Sequence, residues 1–262
     1  MRPVLLNRRQ FLIASLAVCL SLPAAGTFAG ELNPHADEIL RAMSEHLANT
    51  KAFSVNADIS NELITTEGQK LQFNSRATLL VERPSHFYIT RQGRFADVAL
   101  YFDGSKLSLF GKDMNAYMQK DVAGTMDDAI RSLEQGSGLS LPGADLLLAN
   151  PYAALAPGVT SSAYYGMARI GGIECHHLAF RTPQVDWQLW VQAGKDPLPM
   201  KYVITTKWMT AAPQYSVQLS DWNTKPVISP AQFTFVPPAD ARKLDALTVD
   251  DMGEIVPAQG VK

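Results

Sequence analysis

Cysteine is scarce in this sequence, which has two in 262 residues, Cys19 and Cys175. Cys19 lies in an N-terminal segment that we predict to be removed, so no disulfide can form within the remaining chain. Cys175 follows Ile173 at strand spacing, which predicts a small buried side chain. His176 and His177 are adjacent in a strand, so their side chains point to opposite faces. Only Cys175 and His177 share a face, and they could supply at most two ligands, whereas a zinc site needs three or four. The sequence therefore predicts no metal site.

An excess of basic residues is also missing. The chain has 23 lysines and arginines against 25 acidic residues, a formal net charge of −2. Arg2, Arg8 and Arg9 lie in the N-terminal segment, which has no acidic residue, and without them 20 bases face 25 acids. Proteins that bind nucleic acid carry a basic surface. We therefore expect no nucleic-acid partner.

Long hydrophobic runs are absent as well, since the longest one, from Phe11 to Leu22, has about 12 residues. A membrane span needs about 20. Arg8 and Arg9 precede this run, Phe11 and Leu12 open it, and small residues follow it as far as Ala29. This order is typical of a cleavable export signal, and Arg-Arg before Phe-Leu resembles the twin-arginine type, with an ordinary secretory leader as the alternative. We predict a signal over residues 1–29 and a soluble periplasmic protein.

Motifs for catalysis or cofactor binding are not found. The sequence has no nucleophile elbow, no glycine-rich phosphate loop and no His-x-x-x-His pair. Asp186 and Asp221 each neighbour a tryptophan and could form a carboxylate pair for glycoside chemistry, although outward-facing strand carboxylates are usually solvated. We predict that the protein is not an enzyme and needs no cofactor. Carbohydrate binding on exposed Trp190 and Trp222 is a weaker alternative.

What the sequence does have is a regular alternation of apolar and polar residues between positions 171 and 222. The apolar positions of three successive segments are Val185, Trp187, Leu189 and Val191; Met200, Tyr202 and Ile204; and Tyr215, Val217 and Leu219. A period of two is typical of strands with one buried face. Gly194–Pro199 supplies turn residues between the first two segments. The pattern predicts an antiparallel meander with one apolar, aromatic-rich face.

The remaining segments change between helix and strand patterns. Asn33 and Pro34 begin a helix that runs to about Thr50. About six strands follow, with a hairpin at Asp103–Gly104. Residues 124–155 form an apolar helical insert interrupted by glycine and proline, with one helix from Met126 and a second over residues 144–149. About five more strands follow, then a further short strand at residues 233–235, and residues 239–262 are expected to be a loosely ordered tail.

Four segments resemble a known family: residues 172–180, 186–190, 198–199 and 233–238. With the order of elements, they are similar to an uncharacterised family of predicted periplasmic proteins in the lipoprotein-carrier superfamily, which contains LolA and LolB. The resemblance implies a mainly β (α+β) fold over residues 30–238. This fold is an incomplete antiparallel β-barrel of about eleven strands, with an N-terminal helix and the insert over its concave face. In the carriers that face receives acyl chains.

The resemblance and the apolar pattern together predict a hydrophobic groove under a lid. The groove residues are Trp187, Leu189, Met200, Tyr202 and Ile204, and the lid residues, within Met126–Leu155, are Leu146, Leu147 and Tyr152. The expected partner is a hydrophobic small molecule, a lipid or a lipidated protein. If the helices fill the groove completely, the alternative is a non-catalytic module that senses the envelope or binds another envelope protein.

Overall fold

The computed structural model describes residues 31–94, 97–137, 141–245, 247–249 and 255–257. Within these residues most of the chain belongs to one sheet built from two antiparallel meanders. The predicted export signal, with Arg8, Arg9, Phe11 and Leu12, lies outside the described residues.

The first meander contains β1 to β6, at Ala52–Ile64, Lys70–Glu82, His86–Gly93, Asp97–Asp103, Lys106–Gly111 and Ala116–Asp121. The second contains β7 to β11, at Ser161–Ile170, Ile173–Arg181, Val185–Gln192, Pro199–Thr206 and Gln214–Asn223. The two are joined because β1 pairs antiparallel with both β2 and β11. β12, at Arg242–Lys243, adds a twelfth strand parallel to β6. β7 and β12 are the two edges of this open sheet, so the predicted incomplete barrel is confirmed.

The N-terminal helix α1 spans Pro34–Asn49 and begins as predicted. The side chain of Asn33 accepts a hydrogen bond from the backbone N–H of Ala36, which satisfies one of the free donors of the first turn. Its buried stripe includes Leu40, Met43 and Leu47. This stripe belongs to the same hydrophobic core as the inner face of the sheet, so α1 lies across the concave side.

The insert is divided into shorter pieces than the sequence predicted. α2 spans Met126–Ser137, a 3₁₀ turn spans Ala144–Leu147, and α3 spans Pro151–Leu155. The predicted second helix over residues 144–149 is therefore found as a 3₁₀ turn that ends two residues earlier. The chain becomes extended at Leu148, and Asn150 then caps α3 by accepting from the backbone N–H of Ala153.

The main core lies between the concave face and these helices. From the sheet come Phe53, Val55, Val81, Phe87, Phe102, Leu178, Leu189 and Val217, and from the helices and the 3₁₀ turn Leu40, Met43, Met126, Leu133, Leu146 and Leu155. Each fully buried side chain of this size contributes about 1.5–3 kcal/mol. The helical cover is therefore part of what stabilises the sheet.

The segment after β11 packs on the convex side of the first meander. The predicted strand at residues 233–235 is wrong, because a 3₁₀ turn at Pro230–Gln232 leads into a segment without strand pairing. Phe233 is buried against His86, and the ring of Phe235 lies 5.3 Å from that of Tyr101 and 5.5 Å from that of Phe110. Beyond residue 238, β12 and a hairpin of β13 (Leu247–Val249) and β14 (Ile255–Pro257) follow. The boundary between domain and tail stays a prediction.

Candidate functional site

The five predicted groove residues lie side by side on the concave face. In the pairing of β9 with β10, Tyr202 lies opposite Leu189, and Ile204 lies opposite Trp187. Four of the five are buried, with Trp187, Met200 and Tyr202 each 3% exposed, and Ile204 is half-buried. They form one apolar surface, which we call the floor.

Aromatic rings give the floor its shape. The ring of Trp187 stacks on Phe180 of β8 with centroids 4.0 Å apart and planes inclined by 15°. Tyr202 meets the same indole edge-on, at 5.9 Å and 90°. Offset stacks and edge contacts of this kind stabilise aromatic pairs by about 0.5–1.5 kcal/mol beyond their buried area. These ring contacts therefore contribute to the stability of the floor.

The predicted lid residues belong to the same hydrophobic core as the floor, although they are covered to different degrees. Leu146 is buried, while Leu147 and Tyr152 are half-buried and pack against the same core. The hydroxyl of Tyr152 donates to Asp37 of α1 at 2.6 Å, and the guanidinium of Arg41 lies 3.9 Å from the centre of its ring. Burial opposes ionisation of Asp37, but the hydrogen bonds from Tyr152 and Arg41 outweigh it and lower its pKa. The end of the insert is thus tied to α1 by polar contacts.

A second tie, which sequence reasoning missed, is Arg83 between β2 and β3. Its Nη1 donates to the carbonyl oxygens of Leu147 and Leu148, at 2.7 and 3.1 Å. Burial lowers the pKa of Arg83, and nearby Asp127 opposes this shift. Nε and Nη2 of Arg83 are buried and have no hydrogen-bond partner within the described part of the chain. One half-buried cation therefore holds the backbone of the insert against the sheet.

Four polar groups lie close to the apolar surface under the insert. Burial and the charge of Glu134 raise the pKa of Asp145, in the 3₁₀ turn, while burial and then Asp145 raise that of Tyr202. Burial raises the pKa of Tyr215 on β11 to about 12. Burial also lowers the pKa of Arg91 on β3, and the charge of Tyr215 partly opposes this shift. A ligand beneath the insert would meet these groups as well as the floor.

The sequence of residues 36–247 matches the family DUF2092, described as "Predicted periplasmic protein". The chain belongs to this family. The predicted family and the periplasmic location are thereby confirmed. Among the described residues, no helix has the length and apolar character needed to cross a membrane. No curated protein matches the sequence.

Several solved structures are similar to this family member at low sequence identity. An uncharacterized conserved protein from Thermus thermophilus is 11% identical, with 81% of this chain and 99% of that one covered at a TM-score of 0.46. The Mycobacterium tuberculosis lipoprotein LppX is 12% identical, with coverage of 75% and 98% and a TM-score of 0.42. A LolA superfamily protein from Nitrosomonas europaea is 11% identical, with coverage of 76% and 97% and a TM-score of 0.37. Likeness at this level carries no argument about ligand or partner.

The residues considered for metal binding or catalysis do not converge in this chain. His176 contacts the hydroxyl of Tyr164 at 3.1 Å, whereas His177 stacks on Trp190 at 4.2 Å. The described residues contain no group of three histidine, cysteine or acidic side chains able to hold a metal. Asp186 of β9 lies opposite Thr205 of β10, which in turn lies opposite Gln214 of β11. Asp221 is seven residues beyond Gln214 along β11, so it lies roughly 20 Å from Asp186. Glycosidase carboxylates lie within about 10 Å of each other. These two aspartates are therefore not such a pair.

The two tryptophans considered for carbohydrate binding are both half-buried. Trp190 is covered by His177 on one side, and the ammonium of Lys201 lies 5.3 Å from its ring. Trp222 was expected on the face opposite the core, but its ring lies 5.3 Å from that of Phe53. A register shift between β1 and β11, together with a φ of 54° at Asp221, turns Trp222 toward the core. A flat exposed aromatic platform is thus not formed by this pair.

Cys175 is expected to be unreactive in the folded protein. Its side chain is buried, and burial raises the pKa of its thiol. Only the thiolate attacks a disulfide reagent, so the folded protein should react with Ellman's reagent at pH 8 at least 100-fold more slowly than the protein in guanidinium chloride. Rapid reaction of the native protein would contradict this placement of Cys175.

Proposed function

We propose that this protein binds a hydrophobic ligand, a lipid or the acyl chains of a lipidated protein, between the floor and the insert. The observation that carries the proposal is the construction of the cover. Apart from α1, the cover is formed by the insert, whose pieces have 12, 4 and 5 residues and do not make one continuous helix. Helices this short are marginal on their own and depend on the surface beneath them. A ligand can therefore enter beneath them, and they then pack on the ligand.

The energetics set a lower limit on the ligand. Lifting Leu146 and Leu147 off the floor exposes two side chains that each contribute about 1.5–3 kcal/mol when fully buried. Each buried methylene of a ligand contributes about 0.8 kcal/mol, so a chain of about ten carbons can outweigh both leucines, whereas a chain of two cannot. Affinity should therefore rise with the length of the acyl chain.

A closed core is the second candidate, and the burial of the floor favours it. Trp187, Leu189 and Tyr202 are each 3% exposed or less, so this conformation offers a ligand no open groove. The two candidates differ in whether the insert moves. In a binding protein, the amide protons of residues 144–155 should exchange faster than those of β9 and β10 and should slow when a ligand is bound.

The test uses 11-(dansylamino)undecanoic acid, a fluorescent fatty acid, with amide exchange followed by mass spectrometry. The proposal expects saturable binding of the probe, fast exchange in the insert without it and slower exchange with it. If the probe does not saturate and the insert exchanges as slowly as the sheet, the core is closed and the proposal is wrong.

Replacing Leu147 with aspartate should weaken binding of this probe about 10-fold or more, because a carboxylate would then face the acyl chain. Leu147 is half-buried against the core, so the folded state should tolerate the charge. Val227→Asp is the matched control, since Val227 is 97% exposed. Equal probe affinity in the two variants would show that Leu147 does not contact the ligand.

A further inference from the structure

Arg91 is a cation on the apolar side of the sheet. In the pairing of β3 with β2, Phe87, Ile89 and Arg91 lie opposite Val81, Leu79 and Ala77, so they share the concave face. Val98 of β4 lies on its other side. An arginine at such an inward position needs partners for its guanidinium, because an unpaired charge is costly to bury.

The partners that the chain supplies are few. Nε of Arg91 donates to the hydroxyl oxygen of Ser75 at 2.9 Å. Within the described ranges, Arg91 forms no ion pair with an aspartate or a glutamate. Its Nη groups, which are suited to a two-pronged bond with a carboxylate or phosphate, take part in no hydrogen bond between described residues.

The residues beside Arg91 on the sheet are small. Ala77, beside it, pairs in turn with Ala57, so two small side chains separate Arg91 from β11. Gly93 lies opposite Ser75, and a Cβ on Gly93 would lie 2.7 Å from the Cβ of Ser75. Glycine is therefore required at position 93 to keep Ser75 where it accepts from Arg91.

Tyr215 supplies a second donor. It lies on β11 opposite Ile204, at the end of the floor, and its hydroxyl enters no hydrogen bond with another described residue. A Cβ at Gly143 would lie 3.9 Å from this hydroxyl, so the start of the 3₁₀ turn covers it. Arg91 and Tyr215 are half-buried, whereas Trp187 is buried, so the polar end of this surface is the accessible one.

We propose that Arg91 and Tyr215 bind the anionic head group of a single-chain amphiphile, a carboxylate or a phosphate, whose tail runs over Ile204 and Trp187. This inference rests on the proposed function and narrows its ligand to acidic lipids. The acid would enter tail first and stop where its charge meets the guanidinium.

The experiment compares 11-(dansylamino)undecanoic acid with its methyl ester, which has the same tail and no charge. Arg91→Met should weaken binding of the acid about 10- to 100-fold and change binding of the ester less than about 3-fold. Tyr215→Phe should weaken binding of the acid alone, by a smaller factor. Arg76→Met, on the exposed convex face, removes the same charge and should change neither. Circular dichroism melting curves check that each variant is folded.

Competition with dodecanoate and with dodecyl phosphate identifies the head group. The compound whose head group Arg91 binds should displace the acid probe from the wild-type protein and should fail to displace it from Arg91→Met. Equal weakening of acid and ester in Arg91→Met, or unchanged binding of the acid, would overturn the inference while the proposed function stands. If the wild type binds neither probe, the proposed function itself fails.

Discussion

Replacing Trp187 with alanine is expected to lower the free energy of unfolding by about 3–5 kcal/mol. The side chain is 3% exposed, it stacks on Phe180, and it meets Tyr202 edge-on. Its removal leaves a cavity between these rings, so the loss of buried area and the cavity both lower the free energy of unfolding. Urea unfolding followed by circular dichroism measures the change, because this signal does not depend on the deleted fluorophore.

Trp208 provides the matched control for this prediction. It lies between β10 and β11 and is 73% exposed, so Trp208→Ala should change the free energy of unfolding by less than about 0.5 kcal/mol. Similar losses of stability in both variants would mean that Trp187 is not part of a packed floor. The pair thus tests the burial on which the candidate site depends.

The sheet was predictable because its alternation is strong and local. Val185, Trp187, Leu189 and Val191 keep one period through β9, and the structure places all four on one face. The start of α1 was predictable for a similar reason, since Asn33 caps it with its own side chain. In both cases the signal lies in consecutive residues and needs no knowledge of distant contacts.

The errors arose where distant contacts decide the local structure. Phe233 and Phe235 alternate as in a strand, but their rings pack on His86 and on the aromatic convex face. Trp222 has the sequence position of an outward residue, and one irregular residue, Asp221, turns it inward. Neither placement can be predicted from the periodicity of the sequence, because each depends on contacts with a strand far away in the chain.

The candidate site was predictable only in its apolar part. Alternation identified the floor, but no pattern in the sequence connects Arg83 with Leu147, because the bond between them spans 64 residues. Arg91 did leave a signal, since it follows Phe87 and Ile89 in the inward phase of β3. A charged residue at an inward position is the kind of exception that marks a functional group or a buried pair.

Replacing Arg83 with methionine should release the insert without unfolding the sheet. Methionine keeps the apolar length of the side chain, but the carbonyl oxygens of Leu147 and Leu148 lose their donor. Hydrogen bonds from a charged group contribute about 1.5–3 kcal/mol, so amide exchange in residues 144–155 should become about 10- to 100-fold faster. Global stability should change less, because the unpaired Nε and Nη2 of Arg83 already oppose folding, and their removal offsets part of the loss.

The release of the insert should also speed the entry of a ligand. If the cover must move before an acyl chain reaches the floor, stopped-flow binding of 11-(dansylamino)undecanoic acid should be faster in Arg83→Met by a factor similar to the gain in exchange. Arg76→Met removes an exposed arginine from β2, paired with Asp58 at 3.3 Å, and should alter neither rate. Exchange that rises equally in the insert and in β9 would instead show general destabilisation. Faster exchange with an unchanged association rate would show that ligand reaches the floor by a route that does not involve the insert.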